Sequence, residues 1–332
     1  MSKYDVYGIG AALVDTEIEV EDQFLQTSGV DKGLMTLVDE ARQQELIDLL
    51  AGHLVASKKS SGGSAANTII ANSYFGGASY YSCKVANDEM GEFYLNDLKE
   101  AGVDSDFAGD RGEGITGKCL VMITPDAERS MNTFLGISET LCEKNINLEA
   151  LSNSAYMYME GYLVTSETGR AAAIKARQHA EANGVKTAIS LSDPGMVQFF
   201  KDGLKEMIGA KVDVVFCNKE EALGWAETED LETAIAALKQ ISNTFAITLG
   251  AEGALVFDGE NMHTIAPHAV KAIDTNGAGD AFAGAFLYGI SQGWDFAKAG
   301  KLASLTSATV VTQYGPRLDK AGYEKVLAEF DR

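Results

Sequence analysis

Proline is scarce in this chain of 332 residues, with four in all. No Pro-rich linker divides it, and no internal repeat or low-complexity tract stands out. Cysteine is equally rare. Cys83, Cys119, Cys142 and Cys217 lie far apart with no CxxC pair, which excludes a disulfide-stapled design and fits reduced thiols in a cytoplasmic protein. The four histidines, His53, His179, His263 and His268, show neither HxxxH nor HExxH spacing, so the usual zinc patterns are missing. No apolar run approaches the roughly 18 residues of a membrane span. The opening Met1-Ser2-Lys3-Tyr4-Asp5 has no signal-peptide pattern. Positive charge is also short: 27 Lys and Arg face 48 Asp and Glu, a net charge of −21 with a pI near 4.5. A chain of that sign is repelled by phosphate backbones and anionic lipid, so neither nucleic acid nor a membrane is an expected partner. A small anionic ligand would need locally aimed donors.

What is present is an ordinary globular composition, 46% apolar and 23% charged. Strand-like and helix-like segments alternate. Tyr4–Ile9, Thr16–Val20, Leu34–Val38, Ile115–Ile123 and Ser130–Leu135 read as strands, and Asp39–Leu54 as an amphipathic helix. In the second half Tyr156–Met159, Thr187–Leu191, Val212–Cys217, Phe245–Leu249 and Ala254–Phe257 read as strands. Helices are expected from Ser166 to Asn183-Gly184 and over Gly195–Ile208, Lys219–Trp225, Asp230–Ser242, Ala278–Gln292 and Asp295–Thr312. This alternation predicts an α/β fold with a parallel sheet covered on both faces, whose ligands bind along the rim of strand C-terminal ends. The early strands read as a small flap on that fold.

Three glycine turns carry the chemistry. The stretch Asp274-Thr275-Asn276-Gly277-Ala278-Gly279-Asp280 joins a β-like segment to a helix. Uncovered amides and the positive end of the helix dipole make such a start an anion site. Asp280, in the first turn, is placed to take a proton from a hydroxyl beside a phosphate. Phosphoryl transfer asks mostly for that positioning and charge stabilisation. Upstream, Gly62, Gly63 and Asn67 open another helix, where small residues admit a polyol or ribose to the backbone. Gly8-x-Gly10 begins a dinucleotide-like fingerprint, but Leu13 stands where the third glycine belongs and a strand follows, so a Rossmann dehydrogenase fits poorly. Asp15 instead reads as a bidentate acceptor for two sugar hydroxyls.

In order along the chain, Asp15, Gly62-Gly63-x-x-x-Asn67, Asn218-x-x-Glu221, Thr248-Leu249-Gly250 with Gly253, and Asp274-Thr275-x-Gly277-Ala278-Gly279-Asp280 resemble the ribokinase/PfkB carbohydrate kinase family, from about residue 5 to about 316. The resemblance implies a ribokinase-like three-layer α/β sandwich in one domain over 1–332, with a small β-strand lid from about 12–20, 34–38 and 115–135. It implies ATP as phosphoryl donor and Asp280 as the base. The amides of Asn276, Gly277, Ala278 and Gly279 would form the anion hole. Asp15, Gly62, Gly63 and Asn67 would hold the acceptor, with Leu13, Met131 and Phe134 along a base pocket. Asn218 and Glu221 would organise Mg²⁺ largely through water. Thr248, Gly250, Gly253 and Thr275 would border the nucleotide, and Arg129 would close over the phosphates. Asp274 and Thr275 would sit near a monovalent cation such as K⁺. The lid would exclude water, and lids of this kind pair subunits in some relatives, so both a monomer and a homodimer are open.

Within the family, Thr187–Pro194, Gln198–Lys201, Val212–Asn218, Ile273–Phe282 and Asp39–Leu50 look most like adenosine kinases, which implies the 5′-hydroxyl of adenosine as acceptor. Ala11 and Gly33 stand where that group tends to have asparagine and glutamine. Leu163 falls about where it places a stacking ring, with aromatic Tyr162 beside it. A ribokinase- or fructokinase-type sugar acceptor is the alternative. A non-catalytic, ligand-sensing member of the fold is the alternative of another class, and a sensor has no use for a base at Asp280.

Overall fold

The computed structural model describes residues 2–51, 60–106 and 111–331. Among the described residues there are fourteen strands: β1 (Tyr4–Ile9), β2 (Leu13–Glu19), β3 (Met35–Leu37), β4 (Ser60–Gly62), β5 (Ser79–Ser82), β6 (Val103–Asp104), β7 (Gly117–Ile123), β8 (Arg129–Phe134), β9 (Ser154–Glu160), β10 (Lys186–Ser190), β11 (Val212–Asn218), β12 (Ser242–Thr248), β13 (Ala254–Phe257) and β14 (Met262–Ile265). Nine of them form one sheet in the order β14-β13-β12-β11-β10-β9-β1-β5-β6. From β12 to β6 every pairing is parallel, and β13 and β14 close one edge as an antiparallel hairpin.

The strands of this sheet are buried on both faces, and their side chains divide by alternation. On β9, Tyr156 and Tyr158 enter one core while Met157 and Met159 enter the other. The first core is filled from helices α3 (Ser64–Tyr74), α4 (Glu89–Glu100), α11 (Ala278–Ser291), α12 (Phe296–Val310) and α13 (Lys320–Phe330). The second is filled from α5 (Leu148–Ser152), α6 (Glu167–Ala182), α7 (Pro194–Phe199), α8 (Lys201–Ile208), α9 (Lys219–Ala226) and α10 (Leu231–Ile241). This is the expected three-layer sandwich.

The lid is a second sheet, ordered β3-β8-β7-β2-β4. Its outer face carries Ile18, Val20, Leu120 and Met122, packed under Leu25 of α1 (Asp22–Ser28) and Leu46 of α2 (Glu40–Leu49). The chain thus covers that apolar face with its own helices. The predicted helix over Asp39–Leu54 begins as expected, with Asp39 capping the Arg42 amide, but it is shorter, ending at Leu49 with Leu50 as its cap; Leu54 and His53 lie outside the described residues.

Several elements differ from the sequence expectation. The helix expected over Gly195–Ile208 is two, broken at Phe200, whose φ of −125° is not helical. Met196, Val197, Leu204, Met207 and Ile208 keep helical spacing across the break and share one core, which is why the sequence shows a single helix. Helices α4 and α13 were not expected, although each has a capping aspartate, Asp88 and Asp319, before its apolar stripe. Strand β4 joins the lid beyond the expected boundaries.

Candidate functional site

The parallel strands bring Glu160, Ser190, Asn218 and Thr248 to one rim, in register as Glu160 opposite Ser190 and Asn218 opposite Thr248. Above that rim lies a cavity of about 770 Å³ that extends beneath the lid sheet. The first turns of α3 and α11 form its floor.

Asp280 stands in the first turn of α11, half-buried. Ser64 Oγ donates to its Oδ1 at 2.6 Å and Asn67 Nδ2 to its Oδ2 at 3.1 Å. Burial raises the Asp280 pKa, while the Ser64 and Asn67 donors and the nearby Arg129 charge pull it back down. Both carboxylate oxygens are therefore oriented, and the group is buried enough to be more basic than a surface aspartate. Gly277 caps α11 with a φ of +72°. A Cβ there would stand 1.9 Å from the Pro316 carbonyl oxygen, so only glycine fits. The first-turn amides of a helix have no intrahelical acceptor, and Gly277, Ala278 and Gly279 line the cavity; of these, the Ala278 amide donates to the Thr275 carbonyl at 3.3 Å and is spent, so it does not belong to the expected anion hole.

Asn276 corrects one expectation. Its amide donates to Asp274 Oδ1 at 2.8 Å and is spent, so it does not belong to the anion hole. Its side-chain Nδ2 is buried at the cavity wall with no hydrogen-bond partner among the described residues, a donor where the backbone was expected to serve. Asp274 Oδ2 accepts from the Gly315 amide at 3.0 Å, which ties the turn to the loop after α12.

Alternation along β2 turns Leu13 and Asp15 to the cavity. Asp15 is buried, and burial pushes its carboxyl up to about 7; Arg317 opposes this, and the Asp280 and Asp274 charges add to it. Gly63 and Asn67 line the same space, whereas Gly62 does not. A Cβ on Gly62 would stand 2.1 Å from Asp15 Cγ, so Gly62 makes room for the aspartate instead of meeting a ligand. On β8, Arg129, Met131 and Thr133 face the cavity. Phe134, one residue out of phase, does not line it, which removes it from the expected base pocket. Leu163 and Tyr162 both reach the wall. Arg129 is half-buried near Tyr162, Asp193, Asp280 and Glu128, and its Nε has no partner among the described residues.

At the β11–β12 rim, Asn218 and Glu221 satisfy each other. Glu221 receives the Asn218 amide at 2.9 Å and Nδ2 at 2.8 Å, and Asn218 Oδ1 receives the Glu221 amide at 2.8 Å, a capping box at the start of α9. Burial lifts the Glu221 carboxyl to about 7. Thr248, Gly250, Gly253 and Thr275 all line the cavity. Among the described residues no group of three or more His, Cys, Asp or Glu is arranged to hold a metal ion directly, and no helix is long and apolar enough to cross a membrane.

A model of the pfkB family of carbohydrate kinases matches residues 41–321. The chain belongs to that family. It is accordingly a carbohydrate/nucleoside kinase, and kinases of this family use ATP, typically with Mg²⁺. The crystal structure of adenosine kinase from Sinorhizobium meliloti superposes with a TM-score of 0.93 at 33% identity, covering 99% of this chain and 100% of that one. The structure of a probable sugar kinase from Rhizobium etli CFN 42 gives 0.93 at 31% identity over the same shares. Adenosine kinase of Saccharomyces cerevisiae is 28% identical over 340 aligned residues, 96% of this chain and 98% of the yeast protein.

Three groups in the pfkB-family site went unnoticed in the sequence. Ser64 holds the carboxylate of Asp280. Glu160 accepts the amides of Ala11 and Ala65, each at 2.7 Å, and so joins two walls of the cavity. An acid closing the apolar run Met157-Tyr158-Met159 was its available signal. Arg317 gave none, as a single arginine in a loop.

Proposed function

We propose that this kinase transfers the γ-phosphoryl group of ATP to the 5′-hydroxyl of a ribonucleoside, adenosine foremost. The observation that carries the reading is the mixed lining of the cavity. Asp15, Asn67 and Asp280 line it together with Leu13, Met35, Leu37, Met131 and Leu135 of the lid. A ribose needs the first group for its hydroxyls. An apolar wall gives a sugar's remaining hydroxyls no partner, whereas a purine gains from burial against it.

In that reading Asp15 and Asn67 hold the ribose hydroxyls, and Asp280 accepts the 5′-hydroxyl proton as the oxygen attacks the γ-phosphorus. The amides of Gly277 and Gly279, the Asn276 side chain and Arg129 receive the charge on the transferring group. The lid keeps water, a competing acceptor, out of the cavity. The residues fit a magnesium ion carried with the nucleotide: Glu221 is a buried carboxylate on the cavity wall whose pKa burial raises, and it would hold the ion through water. When bound, that ion supplies positive charge to the phosphates. Asp274, buried with its turn closed on Gly315, supports a monovalent cation nearby; faster turnover in K⁺ than in a bulky organic cation is the expected sign.

The test is ATP consumption with a panel of nucleosides and sugars, for the wild type and Asp280→Asn. Adenosine is expected to give the highest kcat/KM, and the variant to bind it while losing about 10²–10⁴ in turnover. Sugars turning over while nucleosides stay inert would replace this reading with the sugar-kinase one. Equal turnover in both proteins would end the assignment of the base.

A further inference from the structure

The loop between α12 and α13 reaches the site twice. Its Gly315 and Pro316 back the turn at Asp274–Gly277. Its Arg317, with a side chain 8% exposed, goes to the opposite wall. There the guanidinium donates to the Ser61 carbonyl, to Ser61 Oγ at 3.1 Å, to Asn67 Oδ1 at 3.2 Å and to Asp97 Oδ2. Asp97 in turn accepts from the Ser61 amide at 3.1 Å and from its hydroxyl. One planar, donor-only group thus clamps the strand that ends in Gly62, the first turn of α3 and the body of α4.

We propose that Arg317 is a positioning residue for the acceptor site, acting through Asn67. A carboxamide can face either way, and its orientation is set by its neighbours. A guanidinium has no acceptor, so the Asn67 atom that faces Arg317 is the oxygen. That leaves Nδ2 for Asp280, as the 3.1 Å contact has it. Without Arg317 the Asn67 oxygen loses its donor, the carboxamide is held from the Asp280 side alone, and the turn at Ser61–Gly63 loses its anchor. The proposal rests on the reading above that Asn67 and Asp280 meet the acceptor.

The test is a mutant cycle read in acceptor binding. Calorimetric titration with the best acceptor of the panel, without ATP, compares the wild type, Arg317→Met, Asn67→Ala and the double variant. Arg317→Met is expected to weaken acceptor binding about 10- to 100-fold, the worth of one or two hydrogen bonds involving a charged group, with the KM for ATP unchanged. In the Asn67→Ala background the same substitution is expected to cost less than about threefold. A full, additive loss there would overturn the proposal, as would an equal rise in the KM for ATP, because a general loosening acts on both sites. If Arg317→Met does not fold, Arg317→Lys is read in the same cycle, since it keeps the charge beside Asp97 but not the fork that reaches Ser61 and Asn67 together. The reading of the base is judged separately by Asp280→Asn turnover, so the two can fail independently.

Discussion

Gly284 of α11 lies directly against the carbonyl of Thr68 on α3, and a Cβ added to it would stand 2.5 Å from that oxygen. The two helices approach this closely because one of them has no side chain at the crossing. One turn toward each N-terminus stand Asp280 and Ser64, in contact at 2.6 Å. The crossing therefore sets the spacing of Asp280, the proposed base, from its donors. Gly284→Val is expected to force the helices apart at a destabilisation of about 1–3 kcal/mol, seen as a lowered thermal midpoint. The kcat should fall by more than tenfold in the protein that stays folded, since a displacement near 1 Å costs a catalytic group that much or more. Unchanged kcat in a destabilised but folded variant would separate the crossing from the chemistry.

Ser64→Ala is a cleaner probe of the same carboxylate. Burial already raises the Asp280 pKa, and Ser64 is the largest influence lowering it, followed by Asn67 and Arg129. Removing the hydroxyl lets the pKa rise further. The base form is then lost sooner as pH falls, so the acid limb of the kcat/KM profile should move to higher pH, with little change well above it. An acid limb that stays in place would show that the limb belongs to another group.

The glycine turns were legible because their chemistry is local. A glycine pair before a helix and an aspartate in its first turn announce an anion site and a base within seven residues, and both parts of the cavity follow from such segments. The order of α/β alternation likewise carried the sheet and its binding rim. What stayed hidden depends on distant partners. Arg317 is informative only beside Asn67 and Ser61, and Ser64 only because Gly284 lets two helices touch. The spent amide of Asn276 could not be foreseen because the carboxylate that takes it, Asp274, reads from sequence as part of the same ligand loop. The phase of Phe134 was ambiguous because a strand's boundary sets which alternate residues face inward.

Asp15→Ala should discriminate between the two substrates. Its carboxylate faces the acceptor end of the cavity and not the Asn218–Thr248 rim. Loss of hydrogen bonds from a charged group, about 1.5–3 kcal/mol, corresponds to roughly 10- to 150-fold in binding. The KM for the acceptor should rise by about that factor while the KM for ATP holds. Because the Asp15 pKa lies at about 7, acceptor affinity in the wild type should also weaken as pH falls from 8 to 6, and the variant should lose that dependence. A calorimetric titration with unchanged acceptor affinity would remove Asp15 from the site.

The site carries more buried carboxyl groups than its cations offset, and stability should register this. Burial, the largest cause in each case, lifts Asp15, Glu160 and Glu221 to about 7 and Glu17 to about 8. In an unfolded chain such groups titrate near 4. Between those values the folded state holds more protons than the unfolded one, so stability is greatest at the acid end of the range and declines as pH rises through 7 to 8. The ligand-free protein should therefore melt at a higher temperature at pH 6 than at pH 8. Glu17 contributes most directly, since it is fully buried, neither of its oxygens has a side-chain hydrogen-bond partner among the described residues, and the Asp15 and Asp274 charges lie near it. Glu17→Gln removes the charge without changing the shape. It should raise the midpoint at pH 8 by a few degrees, leave it nearly unchanged at pH 5, and flatten the slope between. A midpoint that climbs steadily from pH 6 to pH 8 in the wild type would mean that these carboxyls are ionised and paired in a way the fold does not display.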